Sequence, residues 1–351
     1  MYLSIIGSPG CGKTTLFRAF TGGAHSRPGG PTNKAVIEVP DDRLERLSAI
    51  FHPKKTVYGR IEVCDMPSIR EGDMKKEAVP AKELQEMRSS DAFLLVLKAF
   101  EKEPPPDPVS DFHTLDSEFI LSDMVQIENR LDRMKKQAGK REQSGVEQER
   151  ITLEQCLAHL EQGLPLSSLE LSDTGEKSLK GFQFLSQKPL MVVLNCSEEM
   201  MARPEEITGE IAGKLPDGLP VVAACARLEA ELSAMEQEER GAFMEEYGVT
   251  ESLRDRLIGL AYRTLGLISF FTVGEDECRA WPIRKGTTAQ GAAGVIHTDL
   301  SEKFIRAETV AYEDFIHYGD FAGCKKAGTW RLEGKQYVVQ DGDIMTIRAG
   351  S

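Results

Sequence analysis

Short apolar runs alternate with stretches of helical periodicity along most of the chain. Residues 2–6 are a strand-like run, Tyr-Leu-Ser-Ile-Ile, and Leu16–Phe20 continues as helix after a glycine-rich loop. Further strand-like runs are Ala35–Val39, Arg60–Asp65, Ala92–Leu97, Leu190–Leu194 and Pro220–Ala224, with helical segments such as Asp41–Ile50 and Ala81–Ser89 between them. Alternation of this kind predicts an α/β fold, a parallel sheet covered by helices on both faces, with ligands at the carboxyl ends of the strands.

Two segments break the alternation. Ile120, Met124, Ile127, Leu131 and Met134 make a heptad-like seam, which Leu153, Leu157, Leu160 and Leu164 repeat beyond a polar, glycine-broken stretch at 137–145. The spacing predicts an antiparallel helical hairpin inserted into the sheet domain, with its two seams facing each other. Residues 166–189 bring the chain back to the sheet. From about Gly266 the β-type runs shorten to Ile268–Val273, Arg279–Ile283, Gln336–Val339 and Ile344–Ile347, with one helical stretch around Phe304–Ile316. This part reads as a compact mixed domain.

Composition adds limits. The chain has 351 residues, 40% hydrophobic and 28% charged, which suits a globular protein of two domains or one domain with a large insertion. No apolar run is long enough for a bilayer, and the N-terminus lacks the basic start of a signal peptide, so no membrane association is expected. The seven cysteines are odd in number and show no C-x-x-C pair, which predicts free thiols in a reducing, cytoplasmic setting. A formal charge of −13 argues against nucleic-acid binding through a diffuse basic surface but leaves room for a local basic patch.

The chemistry is concentrated at the start. Residues 7–15 read Gly-Ser-Pro-Gly-Cys-Gly-Lys-Thr-Thr, a G-x-x-x-x-G-K-T loop between a strand and a helix. Glycines let the backbone wrap an anion so that successive N–H groups point at it, and the helix start adds its positive end. Ser8, Pro9, Gly10, Cys11, Gly12, Lys13, Thr14 and Thr15 are therefore the expected phosphate site for ATP or GTP. Lys13 is expected to reach the β- and γ-phosphates, and the Thr14 hydroxyl to ligate Mg²⁺. Asp65, at the end of an alternating strand, has the position of the acid that holds Mg²⁺ through a water, so Lys13 and Asp65 are the expected catalytic pair. Cys11 has two readings, a thiolate stabilised by the helix end and an inert small residue; the second is favoured.

Beyond these motifs, the run 279–299, Tyr312-Glu-Asp-Phe-Ile and the run 328–343 resemble the TGS domain of the YchF family, the Obg-like ATPases of the translation-factor GTPase class. Val39-Pro-Asp-Asp-Arg-Leu, Asp107-Pro-Val-Ser-Asp and Ser117-Glu-Phe-Ile-Leu-Ser-Asp-Met are similar to the family elsewhere, so the resemblance spans the chain. It implies a P-loop NTPase domain at 1–110 and 189–265, a helical insertion at 111–188, and a β-grasp, ubiquitin-like TGS domain at 266–351. Asn195-Cys-Ser-Glu198 resembles the family's variant of the guanine-reading N-K-x-D motif, and Cys225-Ala226-Arg227 resembles its second base loop. The base site implied is Asn195, Cys196, Glu198, Cys225, Ala226 and Arg227. It prefers ATP, because the guanine acceptor Asp is missing and an Asn195 amide can pair with the N6/N7 edge of adenine.

Several positions depart from the family pattern. Ser68 stands where D-x-x-G has its glycine and Gly10 where the family has asparagine, while Ile69, in keeping with the family's hydrophobic substitution, stands where Ras-like enzymes carry a water-orienting glutamine. The Mg²⁺-capping threonine of the first switch is displaced: Gly29 takes its register, and Thr32 is the nearest hydroxyl. Together they imply an Mg²⁺-dependent ATP switch with slow intrinsic hydrolysis that needs a partner. The resemblance names the ribosome, its RNA or its proteins, as that partner. A monomer is favoured, and Arg279, Arg284, Lys285, Arg306, Lys325 and Lys326 are the candidate cationic face. The competing readings are a GTPase with altered base contacts and a nucleotide-dependent regulator with negligible hydrolysis.

Overall fold

The computed structural model describes residues 1–22, 32–100, 103, 105–137, 144–179, 181–235 and 252–350. Gly29 and most of the turn of the helical hairpin lie outside the described residues. Contacts divide the chain into two units, Met1–Ala35 with Glu62–Leu257 and Val36–Ile61 with Ile258–Ser351.

β1 (Tyr2–Gly7) is buried from Leu3 onward. The loop after it ends at Gly12, which starts α1 (Lys13–Thr21); Gly22 stops that helix in the left-handed region. β2 (Asn33–Val39) alternates buried and exposed positions, and α2 (Asp42–Phe51) is capped by Asp41, whose Oδ1 accepts the Arg43 N–H. The short β3 (Lys55–Val57) leads to β4 (Gly59–Asp65), α3 (Ala81–Ser89) and β5 (Ala92–Lys98). β5 is buried at six consecutive positions, Ala92–Leu97, as a central parallel strand covered on both faces must be.

Two long helices follow, α4 (Pro108–Gln137) and α5 (Ser144–Leu160). Ile120, Ile127, Leu131 and Met134 pack against Leu153, Cys156 and Leu160, with Met124 and Leu157 at the margin, so the two seams do face each other. Leu164 falls outside: α5 ends at Leu160, Gly163 turns at φ 75°, and Leu164 is exposed. Arg130 and Glu149 join the helices by two hydrogen bonds. The short α6 (Asp173–Leu179) and the stacked Phe182 and Phe184 close the base of the hairpin. α4 is fastened there by Asp123. Its buried carboxylate accepts from the backbone N–H of Leu185 and Ser186 and the Ser186 hydroxyl, and Arg88 of α3 lies 3.3 Å away.

β6 (Leu190–Asn195), α7 (Pro204–Ala212), β7 (Val221–Ala224) and α8 (Ala226–Ala234) complete the sheet side. The six strands run β2-β4-β1-β5-β6-β7, and the registered pairs β1/β4, β1/β5, β5/β6 and β6/β7 are all parallel. This is the P-loop NTPase architecture.

α9 (Leu253–Thr264) leads into the second unit's strands, β8 (Leu267–Thr272) and β9 (Glu277–Arg284), an antiparallel pair. α10 (Ala289–Ile296) lays Ala289, Ala292 and Ala293 on the sheet against Phe270, Ile283 and Phe304; the short α11 (Thr298–Glu302) follows. Then come β10 (Phe304–Ala311), α12 (Tyr312–Tyr318), α13 (Phe321–Ala327), β11 (Arg331–Glu333) and β12 (Asp343–Ala349). A hairpin, a crossing helix and a last strand parallel to β8 make a β-grasp, in a sheet ordered β11-β10-β12-β8-β9-β3.

Three sequence readings change in this unit. The sequence pattern predicts helix around Phe304–Ile316, but its first half is strand β10. A register shift between Phe304 and Arg306 interrupts the alternation, and buried Phe304, Ala307 and Val310 then recur every third residue, which imitates a helical period. Gln336–Val339 is not a strand; it makes one isolated bridge, Val338 to Thr288. The segment 36–61, which the sequence reading put with the nucleotide domain, packs in this unit: Leu44 and Leu47, both wholly buried, lie against Phe271, Val310 and Phe315, and β3 pairs with β9. Among the described residues no helix is long and apolar enough to cross a membrane, and all seven cysteines are free and buried.

Candidate functional site

The carboxyl ends of β1, β4 and β6 converge on the loop 7–15, as a parallel sheet requires. Gly10 and Gly12 take φ 75° and 92°, conformations that L side chains resist. A Cβ on Gly7 would meet Cys11 Sγ and Val96 O at 2.7 Å, and one on Gly12 would collide with Asn195 Nδ2. With glycine at its N-cap, α1 has no side-chain cap, so its first N–H groups are left for an anion.

Lys13 Nζ donates to Ser68 Oγ at 2.6 Å, so the lysine of the G-K-T loop is held by the residue at the D-x-x-G glycine position. The Thr14 hydroxyl donates to Asp65 Oδ2 at 2.8 Å, and Asn33 Nδ2 approaches the same oxygen at 3.3 Å. Asp65 is 5% exposed, and its other oxygen, Oδ1, is buried with no hydrogen-bond partner among the described residues. A buried carboxylate oxygen with nothing to accept is costly unless a cation or its water takes it. A hard-oxygen set of one carboxylate and one hydroxyl, the rest supplied by phosphates and water, fits Mg²⁺.

The expected third ligand does not join this set. The Thr32 hydroxyl lies 3.3 Å from Glu86 Oε2 on α3, a carboxylate that also pairs with Lys34 at 3.2 Å. The neighbouring Asn33, which the sequence reading passed over, is the side chain that touches Asp65. Ser8 Oγ sits 3.4 Å from Asp111 Oδ2 at the start of α4.

The base side also differs in detail. The Asn195 amide is a strut: Nδ2 donates to the Cys11 carbonyl at 2.8 Å, and Oδ1 accepts the Ala226 N–H at 3.0 Å. It joins the phosphate loop to the loop at Cys225–Arg227, and at 5% exposure both of its polar atoms have protein partners. Cys196 and Cys225 are buried among apolar neighbours, and burial pushes the Cys196 thiol up to about 11, so their side chains are packing groups. Glu198, 43% exposed, faces Arg227 at 3.7 Å, and Arg227 also meets Glu231 at 3.2 Å. Cys11 is 1% exposed, and burial raises its thiol above the usual range, which supports the inert reading.

Comparison with known proteins agrees with this architecture. A family model described as "Protein of unknown function (DUF933)", the YchF-GTPase C-terminal domain, matches residues 267–350. The chain is 39% identical to the "Ribosome-binding ATPase YchF" of Bacillus subtilis, covering 98% of each chain. It is 36% identical to the protein of the same name from Escherichia coli O157:H7, covering 98% of this chain and 97% of that one. It superposes on the Schizosaccharomyces pombe YchF GTPase with a TM-score of 0.84 at 28% identity, over 99% of this chain and 97% of that one. With the phosphate loop, the inserted hairpin and the β-grasp unit in place, and relatives this similar along their whole length, the chain belongs to the YchF family of P-loop NTPases.

Proposed function

We propose that this protein is an Mg²⁺-dependent molecular switch that binds ATP in preference to GTP, hydrolyses it slowly, and acts on the ribosome. The observation that carries the reading is the ring around Asp65: Thr14 on one oxygen, the other buried and unmatched among the described residues, and Lys13 beside it on Ser68. Thr14 and Asp65 are the residues that would hold Mg²⁺, which when bound neutralises charge on the β- and γ-phosphates. The α1 N–H groups and Lys13 bind and orient the triphosphate. Asn195 keeps the phosphate loop and the base loop at a fixed spacing, so that base and phosphates are seated together.

The preference for ATP rests on the fourth position of Asn195-Cys-Ser-Glu198. A carboxylate there would have to accept from guanine, and Glu198 is drawn instead toward Arg227. Slow hydrolysis follows from Ile69, 2% exposed in the core where a water-orienting side chain would be needed. The ribosome enters through the relatives, whose names describe ribosome-binding ATPases. In the C-terminal unit, Arg348 through its hydrogen bonds, then Lys325 and Arg306, hold the Glu308 carboxyl below its usual range, which gathers three cations in one place. Arg279 stacks 3.9 Å above Trp281, an arrangement suited to an RNA base.

The test is a calorimetric titration with ATP and with GTP, each with Mg²⁺, followed by phosphate release at saturation. Binding of ATP at least tenfold tighter (~1.4 kcal/mol) with turnover below ~1 s⁻¹ supports the reading. Tighter GTP binding would move the protein to the guanine switches, with Glu198 as the base reader. Binding without any phosphate release would make it a nucleotide-dependent regulator.

A further inference from the structure

The loop after Asp65 is tied at two ends, and only one tie belongs to the phosphate site. At its start Ser68 holds Lys13, and the Ile69 N–H donates to the Gly7 carbonyl at 3.2 Å. Further on, the Gly72 N–H donates to Glu118 Oε1 at 2.7 Å and the Met74 N–H to Glu118 Oε2 at 2.8 Å. Glu118 is 3% exposed and lies on α4, the first helix of the hairpin. Charge-assisted bonds from two backbone donors to a buried carboxylate are strong and directional. Gly72 makes the fork possible: at φ 81° it turns the chain so that two N–H groups in alternate positions reach one carboxylate.

The same helix is anchored five residues on. Asp123 grips Leu185, Ser186 and Arg88, so α4 meets the loop as part of a fixed body and not as a loose neighbour. The stretch containing Glu118 and Asp123 is the Ser117–Met124 run noted in the sequence, for which the nucleotide chemistry itself has no use.

We propose that Glu118 is the positioning residue through which arrival of the γ-phosphate is passed to the helical hairpin. A γ-phosphate draws Lys13 away from Ser68. The loop 68–74 then loses its side-chain tie at the phosphate end and keeps there the Ile69 N–H on Gly7, while Glu118 holds the other end on α4, so movement of the loop is passed to that helix or breaks the fork. The proposal rests on the nucleotide reading above and adds its readout element.

The experiment compares amide exchange in the full-length protein with Mg²⁺ and either ADP or a non-hydrolysable ATP analogue, for the wild type and Glu118→Gln. Glutamine keeps the volume, but its NH₂ group faces a backbone N–H and one fork arm is lost. In the wild type, the analogue should change exchange in 68–74 and in 112–127 together. In Glu118→Gln the response should stay in 68–74, and the nucleotide-free Gly72 and Met74 amides should exchange at least tenfold faster while ADP affinity stays within twofold. Ser68→Ala, which removes the other tie and leaves Glu118 alone, should also diminish the α4 response. An α4 response in Glu118→Gln equal to wild type overturns the proposal, as do wild-type Gly72 and Met74 amides no better protected than Glu71. Should the wild type bind neither nucleotide, the function reading falls and takes the proposal with it; intact binding with an unaltered α4 response sinks the proposal alone.

Discussion

At Gly12 two demands meet in one residue. Its backbone turns at φ 92°, and its missing Cβ leaves the space that Asn195 Nδ2 occupies on its way to the Cys11 carbonyl. Gly12→Ala should therefore cost ~1–2 kcal/mol for the left-handed backbone alone, seen as a lower urea midpoint, and should abolish calorimetric ATP binding by displacing the strut. Asn195→Ala makes a sharper test of the base site. It leaves the Cys11 carbonyl and the Ala226 N–H unmatched, at ~1–3 kcal/mol each for a buried group, and should weaken ATP and GTP alike; a selective loss of ATP would put Asn195 at the adenine edge. The buried thiols give a pH dependence. Burial pushes Cys156 and Cys196 from 9.0 to about 11, so the folded state keeps protons that the unfolded chain releases. Their contribution is constant below pH ~9 and is lost between pH ~9 and ~11, by roughly 2–3 kcal/mol per thiol at most. Urea unfolding should show a lower midpoint at pH 10.5 than at pH 8, with a shallower drop in Cys196→Ala. At this scale the phosphate loop was readable because its information is local: nine consecutive residues hold the glycines, the lysine and the threonines. Asn33 was not, and Ser68 was legible only as a departure at the D-x-x-G glycine, because their contacts with Asp65 and Lys13 exist only in the folded sheet. The Thr32 hydroxyl faces Glu86, and the neighbouring Asn33 amide is what the fold turns toward Asp65.

Among the elements, α4 shows how a periodic reading succeeds and stops short. The seam from Ile120 to Met134 was legible as apolar spacing, yet the helix begins at Pro108, and its first three turns carry Asp111 beside Ser8 and Glu118 under the loop after Asp65. Polar residues buried for a contact look like surface residues in a pattern of hydrophobicity. β10 erred the other way, since its bulge produced a helical spacing from a strand. Arg88 and Asp123 make an element-scale prediction. The Asp123 carboxylate satisfies two backbone N–H groups, a hydroxyl and a guanidinium, whereas Arg88 at 9% exposure meets, among the described residues, Asp123 and Ser122. Asp123→Ala should destabilise by ~3–5 kcal/mol, the cost of stranding a buried charge. Because Leu185 and Ser186 would still lack an acceptor, adding Arg88→Met should recover only part of it, as a double-mutant cycle by urea unfolding would show.

For the molecule as a whole, alternation of strand and helix revealed the nucleotide sheet, but sequence order concealed the membership of residues 36–61. Their helix and strand have the look of one more α/β repeat, and nothing in their composition says that Leu44 and Leu47 find their neighbours more than two hundred residues later, at Phe271, Val310 and Phe315. Leu47→Ala should cost ~2–5 kcal/mol, and amide exchange should place the loss in β8, β9 and β12 while the phosphate loop stays protected. The division has a consequence for how such a chain can change over generations. The peptide passes between the two units at residues 35/36, 61/62 and 257/258. A β-grasp unit appended at the end could be gained, exchanged or shed by one recombination event. This one cannot, because a cut near residue 258 carries off the strands and leaves their helix and edge strand behind. An intact unit therefore passes on only with the whole chain, in step with the match along 97–98% of the relatives' length.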